Sequence, residues 1–166
     1  VIMIGEPQPS PDTPIEWVKD EKALLVALID WFKQYDPDVI IGWNVIDFDF
    51  RLLHKRSEWH KMKLLLGRAN HPSYFRTSHT TQQAFISIPG RVVMDGIDTL
   101  KTATYHFRRW SLESVSQELL GEGKQIHNVH DRMAEINHMF RHDKISLARY
   151  NLQDCVLVNK IFSHTH

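Results

Sequence analysis

Ile40-Ile41-Gly42-Trp43-Asn44-Val45-Ile46-Asp47-Phe48-Asp49 is the stretch that decides the architecture. With Val39 it begins as a short β-branched run, the kind that fills a strand buried on both faces, and the run stops at Gly42. A short polar crossing follows, and Asp49 opens a helix predicted to reach about His60, packed through Leu52, Leu53 and Trp59. A carboxylate at this position can face the crevice at the carboxyl edge of the strands, where open α/β sheets place their ligands. The alternative needs no ligand: Asn44 caps a turn, and Asp49 favours the positive end of its helix.

Upstream, Asp20 is placed to cap a helix running to about Tyr35. Its Leu24, Leu28, Trp31, Phe32 and Tyr35 recur at three- and four-residue steps, and Pro37 lies just beyond its end. Pro7, Pro9, Pro11 and Pro14 force a surface loop between an apolar start, Val1 to Ile4, and a strand over Ile15 to Val18. Downstream, the polar stretch from Arg68 to Gln83 reads as a surface excursion. Ala84 to Ile88 and Arg91 to Met94, parted by Pro89-Gly90, have the pattern of a hairpin. Helices are predicted from Ile97 to about Tyr105, from Leu112 to Leu120 between Ser111 and Gly121, from Asp131 to about Arg141, and from Lys144 to about Ser163 with Asp143 as cap. Intermixed strands and helices without a repeat predict an α/β fold, a mixed central sheet flanked by helices.

The 166 residues, 42% hydrophobic and 24% charged, hold enough apolar material for one sizeable core and so for one domain. Lys plus Arg and Asp plus Glu each number 20, so the chain lacks the excess positive charge of a nonspecific DNA-coating surface, and any nucleic-acid contact must be local. Cys155, the single cysteine, excludes an internal disulfide and a cysteine zinc cluster and fits a reducing compartment. No run approaches the roughly 18 apolar residues of a membrane span, and the start lacks a signal-peptide pattern. A cytoplasmic protein with no membrane partner is expected. Val1-Ile2-Met3-Ile4 reads as a strand entered partway through a larger protein.

A second informative segment is Tyr150-Asn151-Leu152-Gln153-Asp154 in the last predicted helix. Tyr150 and Asp154 stand at i and i+4 on one face, with Leu147, Leu157 and Ile161 on or near it, while Ala148, Leu152, Cys155 and Phe162 line an adjacent apolar stripe. An ionised carboxylate half-buried there needs a compensating cation or donor. A divalent metal would serve, and a carboxylate set without thiols favours Mg2+ or Mn2+ over zinc. An Arg or Lys from another element would serve equally.

Asn44 with Phe48-Asp49, and Tyr150 with Asp154, together resemble the second and third exonuclease motifs of family B DNA polymerases. The longer strings Tyr35-Asp36-Pro37-Asp38-Val39-Ile40-Ile41-Gly42-Trp43-Asn44 and Gln117-Glu118-Leu119-Leu120-Gly121-Glu122-Gly123-Lys124 resemble bacterial members of that family. The resemblance runs through nearly the whole chain, least clearly in the first 15 residues and in Arg68 to Gln83. It implies a ribonuclease H-like exonuclease fold, truncated at its N-terminus, in a parent DNA polymerase whose 3'-5' exonuclease excises mispaired nucleotides from primer ends. It further implies four carboxylates holding two divalent ions, Mg2+ or Mn2+, with Asp49 and Asp154 as two of the four, Tyr150 orienting the attacking water, and Asn44 and Phe48 against substrate. Two cations about 3.5 to 4 Å apart stabilise the charge that develops as a phosphodiester breaks. Tyrosine, with an ordinary pKa of about 10, suits positioning better than proton abstraction. The implied partners are the single-stranded or frayed primer 3' end and the polymerase domains of the same parent chain. A processivity clamp, self-association along an exposed sheet edge and a bacterial, nucleoid-associated location complete the expectation.

One family feature is missing. No Asp-x-Glu, the first motif, occurs ahead of Asn44, and Asp36-Pro37-Asp38 reads as a turn and cap instead. The chain alone is therefore expected to be inactive. Asp95 and Asp98 read as turn or cap residues, Asp47 as a solvated loop residue, and Trp43 as packing beneath the loop. Arg108-Arg109-Trp110 reads as surface and core. His127, His130, His138 and His142 lack zinc-ligand spacing. Two other readings compete with the exonuclease: a noncatalytic DNA-holding or interdomain scaffold module, and a free-standing RNase of the same fold.

Overall fold

Strand β3 (Val39–Gly42) pairs in parallel with β6 (Val92–Asp95), so that Ile40 lies beside Val93 and Gly42 beside Asp95. This pair and its surroundings come from a computed structural model that describes residues 1–122 and 131–165. The chain divides into two compact units, Val18–Tyr105, and Val1–Trp17 with His106–His166.

In the unit Val18–Tyr105, α1 (Glu21–Tyr35) begins where the Asp20 carboxylate accepts the Ala23 N–H at 2.8 Å and ends at Asp36, which adopts the left-handed conformation. Its core face is Leu25, Ile29 and Phe32, joined by Phe50, Leu64, Leu66 and Ile88. Trp31 and Tyr35, expected on that face, are exposed. The helix carries two apolar stripes one residue apart, and burial selects the one that meets β3 and the segment after α2 (Arg51–Trp59). β3 is not buried on both faces: Val39 is 49% exposed and the rest of the strand is only partly covered.

The expected single mixed sheet is replaced by three two-stranded sheets among the described residues. β1 (Ile2–Ile4) pairs with β2 (Glu16–Val18), β3 with β6, and β4 (Tyr74–Thr77) with β5 (Ala84–Ser87). Pro89-Gly90 does turn the chain, with Gly90 at φ 80° and the Arg91 N–H donating to Ile88 O at 3.0 Å. The arms do not form the expected hairpin, however. β5 pairs antiparallel with β4, inside the stretch read as a polar excursion, where Phe75 faces Ile86 and the Arg76 guanidinium lies 4.6 Å from the Phe85 ring centre.

Arg91 explains why β6 runs beside β3. Its side chain, 2% exposed, donates to Leu66 O (2.9 Å), Pro37 O (2.6 Å), Phe32 O (3.2 Å) and the Asp36 carboxylate (2.8 Å). Asp36-Pro37-Asp38 is thus a turn clamped by Arg91 and Arg68, as its sequence implies. Arg91→Ala would strand the Leu66 and Pro37 carbonyls, while Phe32 O keeps the Asp36 N–H, and should destabilise this unit by about 2 kcal/mol or more. Urea denaturation of the chain, followed by tryptophan fluorescence, would show it as a lower midpoint.

In the other unit, α4 (Leu112–Leu120) is capped by Ser111 and stopped by left-handed Gly121, and α5 (Arg132–His142) and α6 (Lys144–His164) follow. Both α4 and α5 pack on α6, whose Ala148, Leu157, Val158, Ile161 and Phe162 are buried. Leu152 and Cys155, expected in the apolar stripe, face solvent. No helix among the described residues is long and apolar enough to cross a membrane.

Candidate active site

The parallel pair delivers two chain segments to one edge: Gly42 and Asp95 end their strands side by side. From Gly42 the chain passes Trp43 and turns at Asn44, which adopts the left-handed conformation (φ 55°, ψ 28°) that asparagine tolerates better than most residues. It then enters a π-helical turn over Val45–Phe50 before α2. Asp49 therefore lies near the end of a widened turn and does not open the helix as its sequence implies. One extra residue per turn is unfavourable packing, and such turns are rare overall but frequent at functional sites.

The Asp95 carboxylate, on a residue only 6% exposed, accepts the N–H groups of Asn44 (3.2 Å), Ile46 (3.3 Å) and Ile97 (3.0 Å). It caps α3 (Gly96–Thr102), as expected, and also ties the turn to β6, which sequence reasoning missed. The Trp43 ring covers this junction: a Cβ on Gly96 would lie 2.6 Å from Trp43 Cε3, so only glycine admits the ring there. Trp43 packs under the loop, as its sequence position implies.

Phe48, 64% exposed, and Asp49 both project where solvent reaches them. Asp49 is nonetheless hemmed in by enough protein that desolvation pushes its carboxyl above the usual carboxylate range, and the Asp95 charge pushes it the same way. Asp98 is raised for the same two reasons in the same order. Asp47 pairs with Arg51 one turn on and plays a local role. A carboxyl made harder to ionise by its surroundings would regain its charge beside a cation, and an oxygen ligand suits a hard divalent one.

Tyr150 and Asp154 lie half-buried on one face of α6 above Leu157 and Ile161. From α5, Arg132 donates to the Tyr150 hydroxyl oxygen through Nε (3.0 Å) and Nη2 (2.6 Å). The charges of Asp154 and Glu113 also favour the Arg132 guanidinium. One Glu113 carboxylate oxygen is buried without a hydrogen-bond partner among the described residues.

Asn44, Phe48 and Asp49 thus belong to one compact unit, and Tyr150 and Asp154 to the other. Among the described residues no three His, Cys, Asp or Glu side chains converge to hold a metal ion by themselves. His127 and His130 lie outside the described residues, as do Gly123 and Lys124. Arg108 and Arg109 are exposed, whereas Trp110 packs edge-on against Phe107 at 5.0 Å, a surface-and-core pattern.

Residues 4–115 match the family described as DNA polymerase family B, exonuclease domain. The chain is 48% identical to DNA polymerase II of Escherichia coli K12 over 93% of its length, covering 20% of that protein. It is 30% identical to the DNA polymerase delta catalytic subunit of Oryza sativa over 85% of its length, covering 14% of it. It is 34% identical to a DNA polymerase of Pyrococcus horikoshii over 67% of its length, covering 9%. The chain therefore spans a fifth or less of these relatives. The matched span holds β3, the Asn44 turn, Asp49 and Asp95, and on that ground the chain belongs to the exonuclease-domain family of the family B DNA polymerases.

Proposed function

We propose that this chain is the editing part of a longer DNA polymerase, a ribonuclease H-like domain that removes mispaired nucleotides from a primer 3' end. The observation that carries this reading is the turn at the carboxyl edge of β3 and β6, which presents Asn44, Phe48 and Asp49 together with a carboxyl pushed above its usual range. Family membership and the likeness to DNA polymerase II support it.

In this reading Asp49 and Asp154 serve as carboxylate ligands for divalent ions, Mg2+ or Mn2+. Those ions, when bound, supply Lewis-acid stabilisation of the charge that develops on phosphate oxygens. Phe48 offers an exposed ring for stacking against the terminal base, and Asn44 offers its amide to the same strand. Tyr150, whose hydroxyl oxygen accepts two N–H groups of Arg132, would orient the attacking water by donating its hydroxyl proton to it. The neutral net charge fits an editing domain that borrows its grip on DNA from polymerase domains of the same parent. A processivity clamp is a further partner in the longer protein.

A noncatalytic DNA-holding module is the second reading. It is favoured by Arg132, whose guanidinium bonds the Tyr150 hydroxyl oxygen and is favoured by the Asp154 charge. Full-length protein on a primed template separates the two. With nucleotides absent and Mg2+ present, a mismatched primer end should be excised faster than a matched one, because fewer pairing and stacking interactions hold it in the duplex. No excision, or equal excision of both ends, would contradict editing.

A further inference from the structure

We infer that Asp95 is a positioning residue of the excision site, its buried carboxylate setting the shape of the turn that carries Asn44, Phe48 and Asp49. The inference rests on the reading of Asp49 as a working carboxylate and goes beyond it, since Asp95 itself is assigned no contact with DNA or metal.

Three observations converge on Asp95. The parallel register sets it level with Gly42, so its side chain starts at the point where the turn leaves the sheet. Its Oδ1 accepts the Asn44 and Ile97 N–H groups at 3.2 and 3.0 Å, and its Oδ2 accepts the Ile46 N–H at 3.3 Å. Those bonds hold the left-handed residue and the first turn of the π-helix, two features the backbone would not adopt without support. Trp43 against Gly96 closes the junction, which limits how far Asp95 can swing.

The chemistry of a carboxylate is needed here, and shape alone is not enough. A carboxylate offers only acceptors, and three N–H donors converge on it. Asparagine has the same outline but turns one oxygen into an NH2 group, which would face an N–H donor. The turn should then relax by a fraction of an ångström, and a reacting group displaced by about 1 Å can lose about a hundredfold in rate.

The test is single-turnover excision of a 3'-labelled single-stranded oligonucleotide by the full-length protein, comparing wild type, Asp95→Asn and Asp49→Ala with enzyme in excess. Asp95→Asn should lower the rate about tenfold or more while leaving the amplitude, which counts competent molecules, unchanged. A merely structural residue would lower the amplitude and spare the rate, and that result would overturn the inference, as would an unchanged rate. Loss of excision in Asp49→Ala alongside normal Asp95→Asn sinks this inference alone, whereas normal excision in Asp49→Ala removes the reading beneath it. If Asp95→Asn does not fold, amide hydrogen exchange on the wild-type chain decides the matter. The Asn44 and Ile46 amides should be protected to the same degree as Ile97, and fast exchange at the first two would refute the role.

Discussion

Asp49→Ala in the full-length protein should reduce 3' excision by about a thousandfold or more while leaving the folded state no less stable at neutral pH. The two halves of this result have one cause. Desolvation, and then the Asp95 charge, raise the Asp49 carboxyl above its ordinary value, so the folded protein binds that proton more readily than the unfolded chain does. A raised carboxyl stabilises the fold below the unfolded pKa, and the contribution is lost as pH rises through the folded pKa. Above its folded pKa the charged Asp49 is therefore a liability to the fold, one that the proposed role in excision would account for. Removing it should cost activity and spare stability. Thermal melts without divalent ions should show Asp49→Asn equal to or above wild type at pH 7. That advantage should disappear near pH 3, where the wild-type carboxyl is also neutral. A clear loss of stability at pH 7 would mean that Asp49 is a structural acid after all.

How much of this was legible in the sequence depends on whether the signal was local. Caps are local: Asp20, Ser111, Asp143 and Gly121 each act within a few residues of themselves, and each stands where its sequence places it. Turn chemistry is local too, and Pro89-Gly90 turns as read. Strand pairing is not local. β5 had two potential partners, and Arg91 ties the strand that follows the turn to Phe32, Asp36, Pro37 and Leu66, all 25 or more residues away in the chain. The buried stripe of α1 was undecidable for the same reason, since Leu24, Leu28 and Tyr35 repeat as regularly as Leu25, Ile29 and Phe32. At the site, Asn44, Phe48 and Asp49 were readable because they share one short segment at a strand end. Asp95 was readable as a cap, but its hold on Asn44 and Ile46 depends on the parallel register with Gly42, which no spacing discloses. The Arg132 bonds to Tyr150 link helices separate in the chain and have no local signal either.

Tyr150 and Asp154 should part company under mutation, although they are neighbours on one helical face. Tyr150→Phe removes a hydroxyl and keeps the ring, so the buried contacts of α6 survive and the carboxylates are untouched. Its cost should be confined to the orientation of the attacking water and to the Arg132 bonds, with excision slowed about ten- to a hundredfold. Asp154→Ala removes a charge, and with it both a proposed ligand and part of the field that settles Arg132, so excision should fall about a thousandfold or more. Binding separates the two further. Calorimetric titration of Mn2+ into the full-length variants should leave the affinity of Tyr150→Phe close to wild type and weaken that of Asp154→Ala. Equal loss in both would show that the tyrosine helps hold the ions and that the division of roles is wrong. Wild-type affinity in both would instead remove Asp154 from the ligand set and leave its charge acting on Arg132, which is the arrangement a DNA-holding module would use.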